Sequence, residues 1–230
     1  MRVAIVENTK VTHHGQVGVA LHERGALVDI HRPFAGQSLP DPMMIDALVV
    51  FGGEQSAMAD ATHPYLPDLA SLMRDMTTAD KPVLGICLGA QVLARAYGAT
   101  NHIGTAPEFG WCALALTPAG HADPVLSGMG PRSFQWHSDT FTLPAGAVHL
   151  AGSAATPSQC FRLKRATYGM QFHFEASRAV VADWTHRFPT QCNTMHPGWL
   201  ADHATQAALH GAQADATGLA IARNWVGLIA

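Results

Sequence analysis

The 230-residue chain carries 13% charged residues and a formal net charge of −3, a balance that offers neither a basic face for nucleic acid nor an acidic tail. Its length is enough to bury a substantial core, and no apolar run approaches the length that spans a membrane. Residues 1–6 are too short for a signal h-region, so the sequence predicts a cytoplasmic protein.

Four cysteines, Cys87, Cys112, Cys160 and Cys192, lie far apart with no CxxC pair, the pattern of free thiols in a reducing compartment. Fourteen histidines fall in neither a His-rich tract nor an HExxH pattern, so no metal site is expected. So sparsely charged a surface favours association, with a homo-oligomer among the expected assemblies.

In chain order, residues 3–6 form a β-branched apolar run, the mark of a parallel strand buried on both faces. A helical pattern over 15–23 stops at Gly25, a C-cap residue. Strands are predicted over 26–31 and 47–51, the second running straight into Gly52-Gly53. A helix over 66–76 precedes a further strand and the helix 91–97. This β-α-β-loop-β-α-β order predicts a doubly wound α/β fold with a mostly parallel central sheet, whose ligands gather beyond the C-terminal strand ends. Glu7, Gly52-Gly53 and Cys87 all fall at such ends. Shorter strands are predicted over 111–117, 133–136, 140–143, 148–151, 160–163 and 168–174, an added antiparallel region rich in turn residues. Helices over 178–188, 199–210 and 217–228 close the chain. No linker or repeat interrupts it, so residues 1–230 read as one domain.

Three segments carry chemistry. Gly85-x-Cys87-x-Gly89 has the frame of a nucleophile elbow, a strand-to-helix turn that pushes a side chain out beyond the sheet edge. A thiol there sees the positive end of the helix dipole. By itself the frame fits a buried structural cysteine equally well. In the predicted strand 168–174 and its continuation to Glu175, alternation sends Met170, Phe172 and Phe174 to the core and Gln171, His173 and Glu175 to the other face. His173 and Glu175 are then neighbours, either a base and its orienting carboxylate or two solvent-facing polar groups. His137 and Asp139 flank Ser138 beside Trp136, either a polar ligand site against an aromatic wall or an ordinary strand end.

Together, Gly85–Gln91 and Gly169–Glu175 make the chain resemble the class I, triad-type glutamine amidotransferase family, most nearly the stand-alone proteins similar to the GMP synthase glutaminase domain. The likeness covers about residues 1–185, leaving 186–230 as a helical extension. It implies a flavodoxin-like glutaminase fold in which Cys87 is the nucleophile, His173 the general base and acid, and Glu175 the orienting carboxylate. It also implies an oxyanion hole from the Gly53 and Leu88 N–H groups. Gly52, Gln91, His137, Ser138 and Asp139 would line the substrate site. No cofactor is implied. The substrate would be glutamine or another γ-glutamyl compound, with ammonia handed to a synthase chain. The same residues also suit a stand-alone γ-glutamyl hydrolase or peptidase, or a non-catalytic binding module that keeps the fold. Two departures stand out: Phe174 replaces the family's usual proline, and Ser138 replaces a glycine. The first is expected to alter backbone and packing, the second to narrow or re-aim the pocket.

Overall fold

The computed structural model describes residues 1–229, so the last residue of the 186–230 extension lies outside the described residues. The first half alternates as β1 (Arg2–Val6), α1 (Gly15–Glu23), β2 (Leu27–His31), β3 (Ala47–Val50), α2 (Leu66–Thr78), β4 (Val83–Ile86) and α3 (Leu88–Ala96). Short strands β5 (Asn101–His102), β6 (Glu108–Ala113) and β7 (Ala115–Leu116) lead to α4 (Pro118–Ala122). Then come β8 (Arg132–His137), β9 (Thr140–Phe141), β10 (Val148–Gly152), β11 (Cys160–Leu163) and β12 (Thr167–Met170). Helices α5 (Arg178–Arg187), α6 (Pro189–Met195), α7 (Trp199–Gln206) and α8 (Ala212–Val226) complete the chain.

The main sheet has eight strands in the order β2-β1-β3-β4-β12-β11-β10-β7. The first five are parallel and the last three add on in antiparallel fashion. Alternation within each strand divides the core. Val3, Ile5, Val49, Leu84 and Ile86 pack with α1 and α8, while Ala4, Val6, Leu48, Val50 and Val83 pack with α2 and α3. Each such Val, Leu or Ile side chain contributes about 1.5–3 kcal/mol on burial. A third cluster, built on Phe109, Trp111, Phe134 and Trp199, sits where the separate antiparallel β6–β8 pair meets the C-terminal helices. The predicted doubly wound fold with its antiparallel addition is therefore the observed one. Among the described residues, no helix is long and apolar enough to cross a membrane.

Three expectations change. The single strand predicted over 111–117 is two strands in two sheets, because β6 pairs with β8 while β7 closes the far edge on β10. The strand predicted over 168–174 stops at Met170, where pairing with β4 and β11 ends. The helices predicted over 199–210 and 217–228 form one continuous run from Trp199 to Val226, with a π-helical segment at Ala207–Gly211. That run packs close: a Cβ on Gly218 would sit 1.9 Å from the Phe174 carbonyl oxygen.

Candidate active site

Cys87 stands between β4 and α3 with φ 53° and ψ −109°, a left-handed conformation that a non-glycine residue adopts only under constraint. The constraint is on both sides. Its N–H donates to the Met170 carbonyl at 2.8 Å, and its own carbonyl accepts from the Gln91 N–H at 3.1 Å. The flanking glycines are required sterically: a Cβ on Gly85 would lie 2.4 Å from the Gly89 oxygen, and one on Gly89 would lie 2.1 Å from the Val50 oxygen. Cys87 is thus held at the N-terminus of α3, 7% exposed, at the floor of a cavity of about 430 Å³.

Past Met170 the chain leaves the sheet but keeps its alternation. Phe172 and Phe174 enter the core beside α8, whereas Gln171, His173 and Glu175 are buried on the other side. The His173 N–H donates to the Phe134 carbonyl at 2.8 Å, which ties this segment to β8. His173 Nδ1 lies 2.6 Å from Glu175 Oε1. Among the described residues Oε2 of Glu175 has no hydrogen-bond partner, so the carboxylate's polar contact is with this ring. Burial drives the His173 pKa down, yet the charges of Glu175 and Cys87 and the hydrogen bonds to both outweigh it and raise it from 6.5 to about 10. A Cβ on Gly52 would come within 3.3 Å of His173 Cε1 and 3.4 Å of Cys87 Cβ, so thiol, imidazole and the Gly52 backbone share one small volume.

The loop after β3 is clamped by polar groups that the sequence did not single out. Asn8 Nδ2 donates to the Phe51 carbonyl at 2.8 Å, and Tyr65 Oη donates to Asn8 Oδ1 at 3.0 Å. Gln55 Nε2 donates to Tyr65 Oη at 2.7 Å and to the Asn8 carbonyl at 3.2 Å. Further out, Arg95 on α3 donates to the Ala57 carbonyl at 2.7 Å and makes a two-pronged pair with Asp60. Gly53 packs against the Leu88 side chain under this clamp. Its N–H lies beyond the end of β3, and that of Leu88 is in the first turn of α3, where the helix itself does not use it.

The remaining expected residues reach the cavity wall, all except the Leu88 side chain. Their polar atoms are partly committed to the scaffold. Gln91 Nε2 donates to Gln171 Oε1 at 3.0 Å and to the Asp139 carbonyl at 3.4 Å. His137 Nδ1 donates to the Asp139 carbonyl at 2.9 Å, and its Nε2 lies 3.2 Å from Glu108 Oε2. Ser138 Oγ donates to Met195 Sδ at 3.7 Å, and Asp139 Oδ1 accepts from the Gly104 N–H at 2.8 Å. The rest of the wall, which no sequence pattern flagged, includes Thr9, Thr12, His13 and Glu54, and Trp184, Phe188, Gln191 and Met195 on or beside α5 and α6.

The family model for glutamine amidotransferase class-I matches residues 11–181. A glutamine amidotransferase-like protein of Salmonella typhimurium is 34% identical over 187 residues, covering 79% of this chain and 78% of the relative. A GMP synthase [glutamine-hydrolyzing] subunit from Methanosarcina acetivorans is 31% identical over 142 residues, 60% of this chain and 68% of that one. The crystal structure of a glutamine amido transferase from Methylobacillus flagellatus superimposes with a TM-score of 0.86 at 25% identity, over 100% of this chain and 95% of the other.

Proposed function

The chain belongs to the class I glutamine amidotransferase family, and on that footing we propose that it cleaves γ-glutamyl amides through a covalent thioester. Cys87 is the nucleophile, His173 the general base and acid, and Glu175 the carboxylate that orients the imidazole. One observation carries this reading: a strained cysteine at a helix N-terminus shares a cavity with a buried imidazole whose Nδ1 lies 2.6 Å from a carboxylate.

The reaction follows from those groups. The Cys87 thiolate attacks the side-chain amide carbon, and the Gly53 and Leu88 N–H groups take the oxyanion that develops. Loss of one such donor typically costs about 3–4 kcal/mol, and the Asn8–Tyr65–Gln55 clamp would keep the Gly53 donor aimed. Because Nδ1 of His173 is committed to Glu175, the proton for the departing nitrogen comes from Nε2; an unprotonated amide anion is too basic to leave. Water, activated by the same imidazole, then hydrolyses the γ-glutamyl thioester. Gln91, His137, Ser138 and Asp139, with Gly52 between thiol and imidazole, shape the pocket for the amino-acid end of the substrate.

Glutamine is the substrate that the family suggests, with ammonia passed to a synthase chain in trans; the relatives named as glutamine-hydrolyzing components of GMP synthase support this. The reading takes residues 1–230 as one domain working without a cofactor in a reducing cytoplasm. A second reading, the same triad acting on another γ-glutamyl amide, is favoured by the aromatic wall of the cavity. A non-catalytic module is disfavoured by the complete set of Cys87, His173 and Glu175.

Glutamate release by the purified protein, with hydroxylamine added to intercept the thioester, tests the proposal. Wild-type protein is expected to form glutamate and γ-glutamyl hydroxamate, and Cys87→Ser neither. Turnover by the serine variant equal to wild type sinks the assignment.

A further inference from the structure

The cavity has two chemically different sides. On one lie the Gly52-Gly53 loop, Gln91 and Asp139, assigned to the oxyanion and the amino-acid end, with His137 and Ser138 leading across to the other side, where Ser138 Oγ meets Met195 Sδ at 3.7 Å. On the other, beginning at the base itself, stands a run of aromatic rings. Trp184 meets the His173 ring edge-on, with centroids 5.2 Å apart. Trp136 packs on Trp184 at 5.6 Å and Phe188 on Trp136 at 5.9 Å, both edge-to-face. All three rings are half-buried and line the cavity, with Met195 beside them.

The position of this wall matters. Nε2 of His173 must deliver its proton to the departing nitrogen, so whatever that nitrogen carries projects from the His173 side. Ammonia carries nothing, and an apolar wall gives it no binding. The volume of about 430 Å³ falls in the range of pockets that enclose drug-sized ligands, larger than a single amino acid needs. Aromatic faces with one polar edge suit an apolar or aromatic group.

From this we infer that the Trp136–Trp184–Phe188 wall is a leaving-group subsite, and that the favoured substrates are γ-glutamyl amides of amines bearing an aromatic or branched apolar group, γ-glutamyl dipeptides among them. The inference rests on the γ-glutamyl-cleaving reading above and specifies its substrate class. The step balances without a further reagent. The Cys87 thiolate forms a C–S bond, the C–N bond breaks as His173 gives its proton to the amine nitrogen, and RNH₂ departs. Water then adds its oxygen to the thioester carbon, its proton passes to His173, and the C–S bond breaks to give glutamate and the thiolate.

The test compares kcat/KM of the purified full chain for γ-glutamylphenylalanine, γ-glutamylalanine and glutamine. The two dipeptides differ in the apolar side chain and hardly in the basicity of the leaving amine. The phenylalanine compound is expected to exceed the alanine compound and glutamine by about ten-fold or more, the scale on which an apolar pocket discriminates. In Phe188→Ala, and independently in Trp184→Leu, the phenylalanine-to-alanine ratio is expected to fall at least several-fold. Equal turnover of the two dipeptides, or glutamine as the best of the three, overturns the subsite and leaves the thioester chemistry standing. No turnover of any of the three overturns both.

Discussion

The His173–Glu175 contact yields the sharpest test, through Glu175→Gln. The substitution keeps the size of the side chain and an oxygen for the Nδ1–H, but it removes the charge 2.6 Å from the ring. The rise of the His173 pKa from 6.5 to about 10 corresponds to roughly 5 kcal/mol in favour of the imidazolium. Burial acts against the charged ring, and the Glu175 charge is the largest favourable contribution, ahead of Cys87. Without it the imidazolium should lose its proton at a pH lower by roughly two units. The sign is fixed by the role: His173 must carry a proton to expel the amine, so activity declines as pH rises through its pKa. Wild-type kcat/KM is therefore expected to hold to near pH 10 and the variant to fall off near pH 8, with a loss at the optimum of about 10²–10⁴-fold because the ring is also less well oriented. Glutamate release followed across the alkaline range, together with the ultraviolet absorbance of the Cys87 thiolate, reads both effects. A variant with the wild-type alkaline limb and kcat/KM within about two-fold of wild type would refute the orienting role of Glu175.

Three other perturbations probe the frame that holds the site. Gly89→Ala would drive a Cβ to 2.1 Å from the Val50 oxygen; backbone meets backbone there, so at least about 3 kcal/mol of stability should be lost, seen as failure to express in soluble form or as a large fall in Tm. Asp123 is buried and accepts from Arg162 Nε at 3.0 Å, from Tyr168 Oη at 3.1 Å and from the Val125 N–H at 3.0 Å. Asp123→Ala leaves the buried Tyr168 phenol without an acceptor and Arg162 without its carboxylate, and should cost about 1–3 kcal/mol in denaturant unfolding. Phe174→Pro restores the residue usual in the family but deletes a ring that is 2% exposed and packs on Phe172. It should lower stability by about 3–5 kcal/mol and Tm by roughly 6–20 °C, while activity at low temperature persists.

How much of this was legible in the sequence depends on the range over which each feature is determined. The central parallel strands announce themselves because burial on both faces demands continuous apolar runs, as in Ala47–Val50. The elbow is legible for a similar reason: only glycine clears the Val50 and Gly89 backbones, so the constraint is written into five consecutive residues. Alternation placed Phe172 and Phe174 opposite His173 and Glu175 correctly, yet it gave no sign that pairing with β4 and β11 ends at Met170 and that His173 pairs with β8 instead. Periodicity reports which side is buried, not which partner strand is present. The same blindness merged β6 with β7. Nor does any local pattern show that Arg162 pairs with Asp123 and Arg165 with Asp80.

The missed parts of the site share one property: they are made by contacts far apart in sequence. Asn8, Gln55 and Tyr65 are unremarkable loop residues until the fold brings them together around the Phe51 carbonyl. Trp184 comes from a helix that the sequence gives no reason to join to the Trp136 wall, and α6, which carries Gln191 and Met195, begins at Pro189 within a stretch lacking clear periodicity. The division has a functional logic. The bond-breaking groups sit in short, sterically forced motifs at strand ends, where one wrong atom abolishes the geometry. Most of the wall facing the leaving group, Trp184, Phe188 and Met195, comes from α5 and α6 or the turn between them, outside the parallel sheet, so a ring there can be exchanged without altering the elbow. Chemistry can then stay fixed while the amine that departs varies, and the selectivity of this chain should follow α5 and α6 more closely than it follows the triad.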